Sequence, residues 1–318
     1  MILCLSGGIG GAKLVLGLGK VLDPSALVVA VNTGDDFFHL GLEIWPDFDT
    51  TLYTLAGIAN PQQGWGRDGE TWRVMDELRA IGGEDWFNLG DKDIALHLLR
   101  AQLRSEGLSA TDVARVLRAR FRVACSITPA ADQPVRTMVH TPDGVLTFQH
   151  YFVRHRTEPA ISKITYEGAG GALFSPMILA ALGDPALEAI VIAPSNPFLS
   201  IDPILAISDA RAALRRSRAP IIAVTPVIAG AAVKGPTAKI MEEVGMPVTA
   251  AAVAAHYGDL IDGFVLDQLD AAERADIESR GVTCTLAPTL MRDDADKIAL
   301  AEHVLAFAKR CPRRRNAA

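Results

Sequence analysis

Cysteine is scarce in this 318-residue chain, and the four that occur, Cys4, Cys125, Cys284 and Cys311, show no C-x-x-C spacing. That excludes a zinc knuckle and a disulfide framework, and it fits a reducing cytoplasm. Positive charge is in deficit, with 31 basic against 37 acidic residues and a formal charge of −6. No overall field attracts nucleic acid, so an anionic ligand needs a local site. The one basic cluster, Lys309, Arg310, Arg313, Arg314 and Arg315, reads as a solvated end. The longest apolar run, Ile221 to Val233, is cut by Pro226 and Gly230 and is too short to span a membrane. No basic stretch precedes the apolar residues from Ile2, so a signal peptide is not expected. There is no G-x-S-x-G and no supported Cys/His nucleophile pair. None of the seven histidines pairs with another at metal spacing, and only His39, close to Asp35, invites attention.

What is present is ample apolar material, 49% against 21% charged residues, enough for a large core. Short apolar runs alternate with helical patterns, which predicts an α/β fold, a doubly wound and mainly parallel sheet. Strands are expected at Ile2–Leu5, Leu27–Val31, Ala189–Ala193, Ile221–Val224, Gly263–Leu266 and Val282–Leu286. Helices are expected at Ala12–Val21, Asp202–Arg216, Thr237–Val244, Ala271–Arg280 and Asp294–Lys309. The middle breaks this rhythm: it is mainly helical from Thr50 to Phe121, with Ser109 as an N-cap. Two alternating runs follow, Val135–His140 and Val145–Val153, joined by Thr141-Pro142-Asp143-Gly144 as a hairpin. Residues 1–49 and 171–318 therefore read as a nucleotide-binding core, and 50–170 as a mixed helical and hairpin insertion covering the mouth of the site.

The segment Ser6-Gly7-Gly8-Ile9-Gly10-Gly11-Ala12-Lys13 follows the first strand. Glycines let the backbone close on a ligand, and the helix that follows offers free N–H groups and a positive dipole end, so a phosphate-bearing ligand is expected here. The spacing matches neither the dinucleotide fingerprint nor the Walker pattern. Gly7, Gly8, Gly10, Gly11 and Lys13 are the candidates. A tight turn without a ligand is the plainer alternative.

Further polar groups gather at strand ends. Asn32-Thr33-Gly34-Asp35-Asp36 closes the second strand, beside the glycines if the two strands are neighbours; Asx-turn roles are open to both acids. In Trp45-Pro46-Asp47-Phe48-Asp49-Thr50, proline holds Trp45 extended, so Asp47 and Asp49 can share a side and hold a divalent cation, magnesium by donor type. Asp49 also reads as a helix N-cap. Asp91 and Asp93 suit a helix start, whereas Lys92 at a positive helix end points to an anionic or hydroxyl-bearing partner. Pro194-Ser195-Asn196-Pro197, after another buried strand, reads as a nucleotide contact or as a plain turn.

In order, Ser6 to Lys13, Asn32 to Asp36, Pro46 to Thr50, Leu89 to Asp93 and Pro194 to Pro197 resemble the 2-phospho-L-lactate transferase family of coenzyme F420 biosynthesis. The similarity runs to about Lys309. It implies magnesium-dependent transfer of a phospholactyl-type group from a guanosine diphosphate conjugate to the deazaflavin Fo, with release of GMP. It also implies a Rossmann-like core and a homodimer, while the charge balance and the short apolar runs point to no nucleic-acid or membrane partner. By position, Asp49 would contact the deazaflavin near the metal, with Asp91 and Lys92 beside it. Lys92 stands where relatives often carry arginine, keeping the charge but not the planar fork. The glycines, Lys13, Asn32, Thr33, Asp35, Ser195 and Asn196 would hold the nucleotide. The chemistry needs in-line placement and charge neutralisation, not a protein nucleophile. A regulatory nucleotide-sugar binder of a related glycine-loop group is the alternative; a nicotinamide dehydrogenase fits less well.

Overall fold

In a computed structural model, which describes residues 1–233 and 235–313, the apolar runs form one parallel sheet. Its order is Ser126–Pro129, Leu27–Val31, Ile2–Ser6, Ala189–Ile192, Ile221–Val224, Gly263–Asp267 and Thr283–Ala287. Every neighbouring pair is parallel. Alternate residues feed two cores, as the two-residue period of a strand requires. Leu3, Leu5, Ile190 and Ile192 point to one, and Ile2, Cys4, Ala189 and Val191 to the other. On the second face lie the helices Gly8–Val21, Pro46–Leu55, Ala110–Arg120 and Asp294–Ala308. Leu14, Val15 and Leu18 of the first of these are fully buried, and truncating such a leucine costs about 2–5 kcal/mol.

All six expected strands are present within a residue or two. The seventh, Ser126–Pro129, lies inside the 50–170 stretch. It is short, polar at Ser126 and Thr128 and closed by proline, which an edge strand tolerates. The same stretch holds Arg136–Thr141, paired antiparallel with Gly144–Thr147 and with Lys163–Glu167. The expected second hairpin run therefore stops at Thr147. Phe148, Tyr151 and Phe152 have helical rather than alternating spacing, and a π-helical turn His150–Arg154 follows.

Three helices differ from expectation, one of them Ala271–Arg280, which is a 3-10 segment Gln268–Glu273 followed by the helix Arg274–Ser279. The first helix of the chain starts at Gly8, not Ala12, so most of the glycine segment is helix. The expected Asp202–Arg216 helix is split into Asp202–Leu205 and Ala210–Arg216. Between them the Ser208 N–H donates to the Ala169 carbonyl at 3.0 Å, and Asp209 takes φ +59°. Ser109 caps its helix as expected, accepting from Asp112 N at 3.1 Å. Arg314 and Arg315 of the basic end lie outside the described residues.

Candidate active site

Strand order reverses between Ile2–Ser6 and Ala189–Ile192, and ligands of such sheets bind beyond the carboxyl ends at that point. A cavity of about 620 Å³ lies there, lined by Gly7, Gly8, Gly10 and Lys13 on one side and Ser195 and Asn196 on the other. The two loops interlock: Ser195 Oγ donates to the Gly7 carbonyl at 2.7 Å and accepts from Gly7 N at 3.1 Å. A Cβ on Gly10 would strike the Pro194 carbonyl, and one on Gly11 would come within 2.6 Å of Ser195 Oγ. Gly11 thus serves the close approach of the loops and does not line the cavity.

Asp47 enters at the start of the helix Pro46–Leu55, whose first position suits proline. Its Oδ1 accepts from Gly8 N at 2.8 Å. Its Oδ2 accepts from Asn32 Nδ2 at 2.9 Å. Asn32 also donates to the Leu199 carbonyl at 3.0 Å and accepts from Gly34 N at 2.8 Å. Asn32 and Thr33 are therefore not cavity-lining residues; Asn32 holds a carboxylate that is. Burial pushes the Asp47 carboxyl up to about 6 against the pull of these hydrogen bonds. Asp35, also in the wall, is raised well above the carboxylate range by burial, then by Asp47 and Asp36. Its Oδ1 is buried with no hydrogen-bond partner among the described residues.

Asp47 and Asp49 do not share a side as expected, whereas Asp35 lies in the wall near enough to Asp47 for their charges to interact. Because the helix begins at once after Trp45, positions two apart do not face each other. Asp49 is not the N-cap either: its N–H already donates to the Trp45 carbonyl at 2.9 Å. It forms an ion pair with the fully buried Arg100, which counters part of the rise that burial imposes on its carboxyl. Among the described residues no group of three or more His, Cys, Asp or Glu side chains is arranged to hold a metal. The buried Asp35–Asp47 pair with an orphaned oxygen does suit magnesium, which takes one or two carboxylates and completes its shell with water and substrate phosphates.

Lys92 and Asp91 lie outside the cavity wall. The Asp91 carboxylate accepts from Thr71 Oγ1 at 2.6 Å and Val74 N at 3.1 Å, capping the neighbouring helix Arg73–Ala80. Lys92 Nζ donates to the Asp68 carbonyl at 2.7 Å on the surface. Asp93 takes their place in the wall; Tyr53 donates to it at 2.7 Å, and burial pushes its carboxyl up to about 6. Lys13 reaches the Met291 carbonyl at 2.6 Å. Asn196 accepts from Phe198 N and Leu199 N and donates to Thr237 at 3.0 Å. His39 is buried behind the wall, its ring 5.1 Å from Trp86.

Sequence reasoning passed over Tyr53, His97 and Arg100. Asp49 and Tyr53 are four apart on one helix, and Asp93, His97 and Arg100 are four and three apart on another. That shared helical spacing was the available signal. Also unforeseen is an apolar aromatic wall of Trp65, Trp86, Phe87, Phe148 and Phe152.

The family model described as 2-phospho-L-lactate transferase CofD matches residues 2–289. The chain belongs to that family. It is a transferase of coenzyme F420 biosynthesis. A Streptomyces griseus protein named phosphoenolpyruvate transferase is 38% identical over 314 residues, covering 97% of this chain and 98% of its own. A Methanosarcina mazei protein named 2-phospho-L-lactate transferase is 34% identical over 304 residues, covering 96% and 99%. A solved Bacillus halodurans structure shares the transferase's fold at TM-score 0.61 and 15% identity, over 96% of this chain and 98% of its own. No helix among the transferase's described residues is long and apolar enough to cross a membrane.

Proposed function

We propose that the enzyme moves a phosphoenolpyruvyl-, phospholactyl- or phosphoglyceryl-type group from a guanosine diphosphate conjugate to the ribityl hydroxyl of the deazaflavin Fo, releasing GMP. The observation that carries this reading is the Asp35–Asp47 pair set against the N-terminus of Gly8–Val21 in one cavity with Asp49. Two buried acids that repel each other call for a cation. The helix end beside them suits the diphosphate, and the aromatic wall suits a flat heterocycle.

Asp35 and Asp47 would hold magnesium, which when bound supplies charge neutralisation at the diphosphate. Gly8 and Gly10 place the helix dipole toward the leaving nucleotide. Asp49 takes the hydrogen of the attacking hydroxyl, orienting it toward the phosphorus that bears the organic acid. The oxygen–phosphorus bond forms as the bond to GMP breaks, so placement and electrostatics carry the reaction.

The test supplies each of the three conjugates with Fo and magnesium and weighs the product. One donor giving Fo plus its organic phosphate, with equimolar GMP, supports the reading. Tight nucleotide binding without GMP from any donor favours the regulatory alternative.

A further inference from the structure

Arg100 is wholly buried, arriving from the helix Asp91–Ser105 with its guanidinium 4.3 Å from the Trp45 ring centre. It serves three acceptors on three elements. Nη2 pairs with Asp49 Oδ1, while Nη1 reaches the Glu43 carbonyl at 2.9 Å and His97 Nδ1 at 3.0 Å. A guanidinium has donors only, so His97 Nδ1 must be the acceptor and the ring's proton sits on Nε2. Burial and the Arg100 charge hold the imidazole well below its usual pKa, which keeps it neutral.

The consequence for the cavity lies in the atoms Arg100 leaves over. With Oδ1 taken, Asp49 Oδ2 is buried and has no hydrogen-bond partner among the described residues, and His97 Nδ1 stands 3.8 Å from it. Both side chains line the cavity. One offers an unfilled acceptor, and the other carries a donor on the nitrogen that Arg100 does not occupy.

We propose that Arg100 is a positioning residue that sets Asp49 Oδ2 as acceptor and His97 Nε2–H as donor, so that a polyhydroxylated acceptor chain is recognised through neighbouring hydroxyls. Each hydroxyl both donates and accepts, so a chain of them satisfies both members of the pair at once. Lysine could not replace Arg100, because a point charge on a flexible stem lacks the planar fork that reaches Asp49 and His97 together. This rests on the reading of the acceptor as a ribityl-bearing deazaflavin.

Imidazole nitrogen NMR on the wild-type protein reads the tautomer without any turnover. The proposal expects a bare His97 Nδ1 and a protonated Nε2; a proton on Nδ1 overturns it. In Arg100→Lys the deazaflavin should bind at least about tenfold more weakly, the scale of a lost charged hydrogen bond, with GMP affinity changed by less than about twofold. Equal loss of both ligands indicates a merely structural role and contradicts the proposal, as does unchanged deazaflavin affinity. Should that variant not fold, a deazaflavin with an alkyl chain in place of the ribityl group is offered to the wild type. Binding weaker by about tenfold or more supports the proposal, and equal binding overturns it. Wild-type protein with the expected tautomer that binds GMP but no deazaflavin would instead overturn the functional reading.

Discussion

Asn32 Nδ2 lies 2.9 Å from Asp47 Oδ2, so the end of the second strand holds the carboxylate that the following helix delivers to the cavity. Asn32 is 1% exposed and touches no cavity space itself. Its part is to aim Asp47. Asn32→Ala should therefore weaken magnesium binding by about 10–100-fold, the usual effect of removing a partner behind a metal ligand. Calorimetric titration with magnesium in the presence of GMP checks it, and unchanged affinity would show that Gly8 alone suffices to hold Asp47.

Asp49→Asn should lower kcat by about a hundredfold, the lower end for losing a group that handles the reacting proton. The amide keeps the size of the side chain but offers an N–H where the acceptor hydroxyl expects an oxygen. Nucleotide affinity should hold. Near-wild-type turnover in the purified, folded variant would remove Asp49 from the chemistry.

Asp93 carries a pH signature. Its folded-state carboxyl is raised from 3.8 to about 6 by burial, with Asp49 and Glu70 adding to the rise and Tyr53 and Arg67 opposing it. A raised pKa means stability that is complete below about pH 4 and lost as pH climbs through about 6. The free-energy gap between Asp93→Asn and wild type should change in the variant's favour by about 2–3 kcal/mol across that window, since each tenfold loss of proton affinity on unfolding is worth about 1.4 kcal/mol. Denaturant melts from pH 4 to 8 measure it, and a gap independent of pH would contradict the burial argument.

Trp65 is 45% exposed yet lines the cavity, a costly place for an indole that stacks on no ring among the described residues. Trp65→Ala should raise the KM for the deazaflavin by about tenfold through lost stacking and area while sparing the nucleotide. Equal KM values for the two proteins would place the heterocycle elsewhere.

Much of this was readable in the residues. The core strands announced themselves because a strand buried on both faces is an unbroken apolar run, as in Ile2–Leu5 and Ile190–Ile192. The polar ends after Ile2–Leu5 and Ala189–Ala193 were legible as ligand candidates, whereas the contact of Gly7 with Ser195 depends on a strand order that no local run of residues states. An extended Pro46-Asp47-Phe48-Asp49 would align the two acids, but these residues form the first turn of a helix, which turns them apart. Lys92 misled for a related reason: its charge suggested a ligand, whereas the fold spends it on the Asp68 carbonyl. Arg100 was invisible because its importance comes from complete burial 51 residues from Asp49, which no local pattern encodes.

The proposed reaction is a metal-assisted transfer with GMP as leaving group. A single-turnover mixture of enzyme, magnesium, Fo and the guanosine diphosphate conjugate should yield one GMP per enzyme-bound donor, and omitting Fo or chelating magnesium should each abolish the release. GMP formed at the same rate without Fo, or bound donor that never yields GMP, would contradict the account.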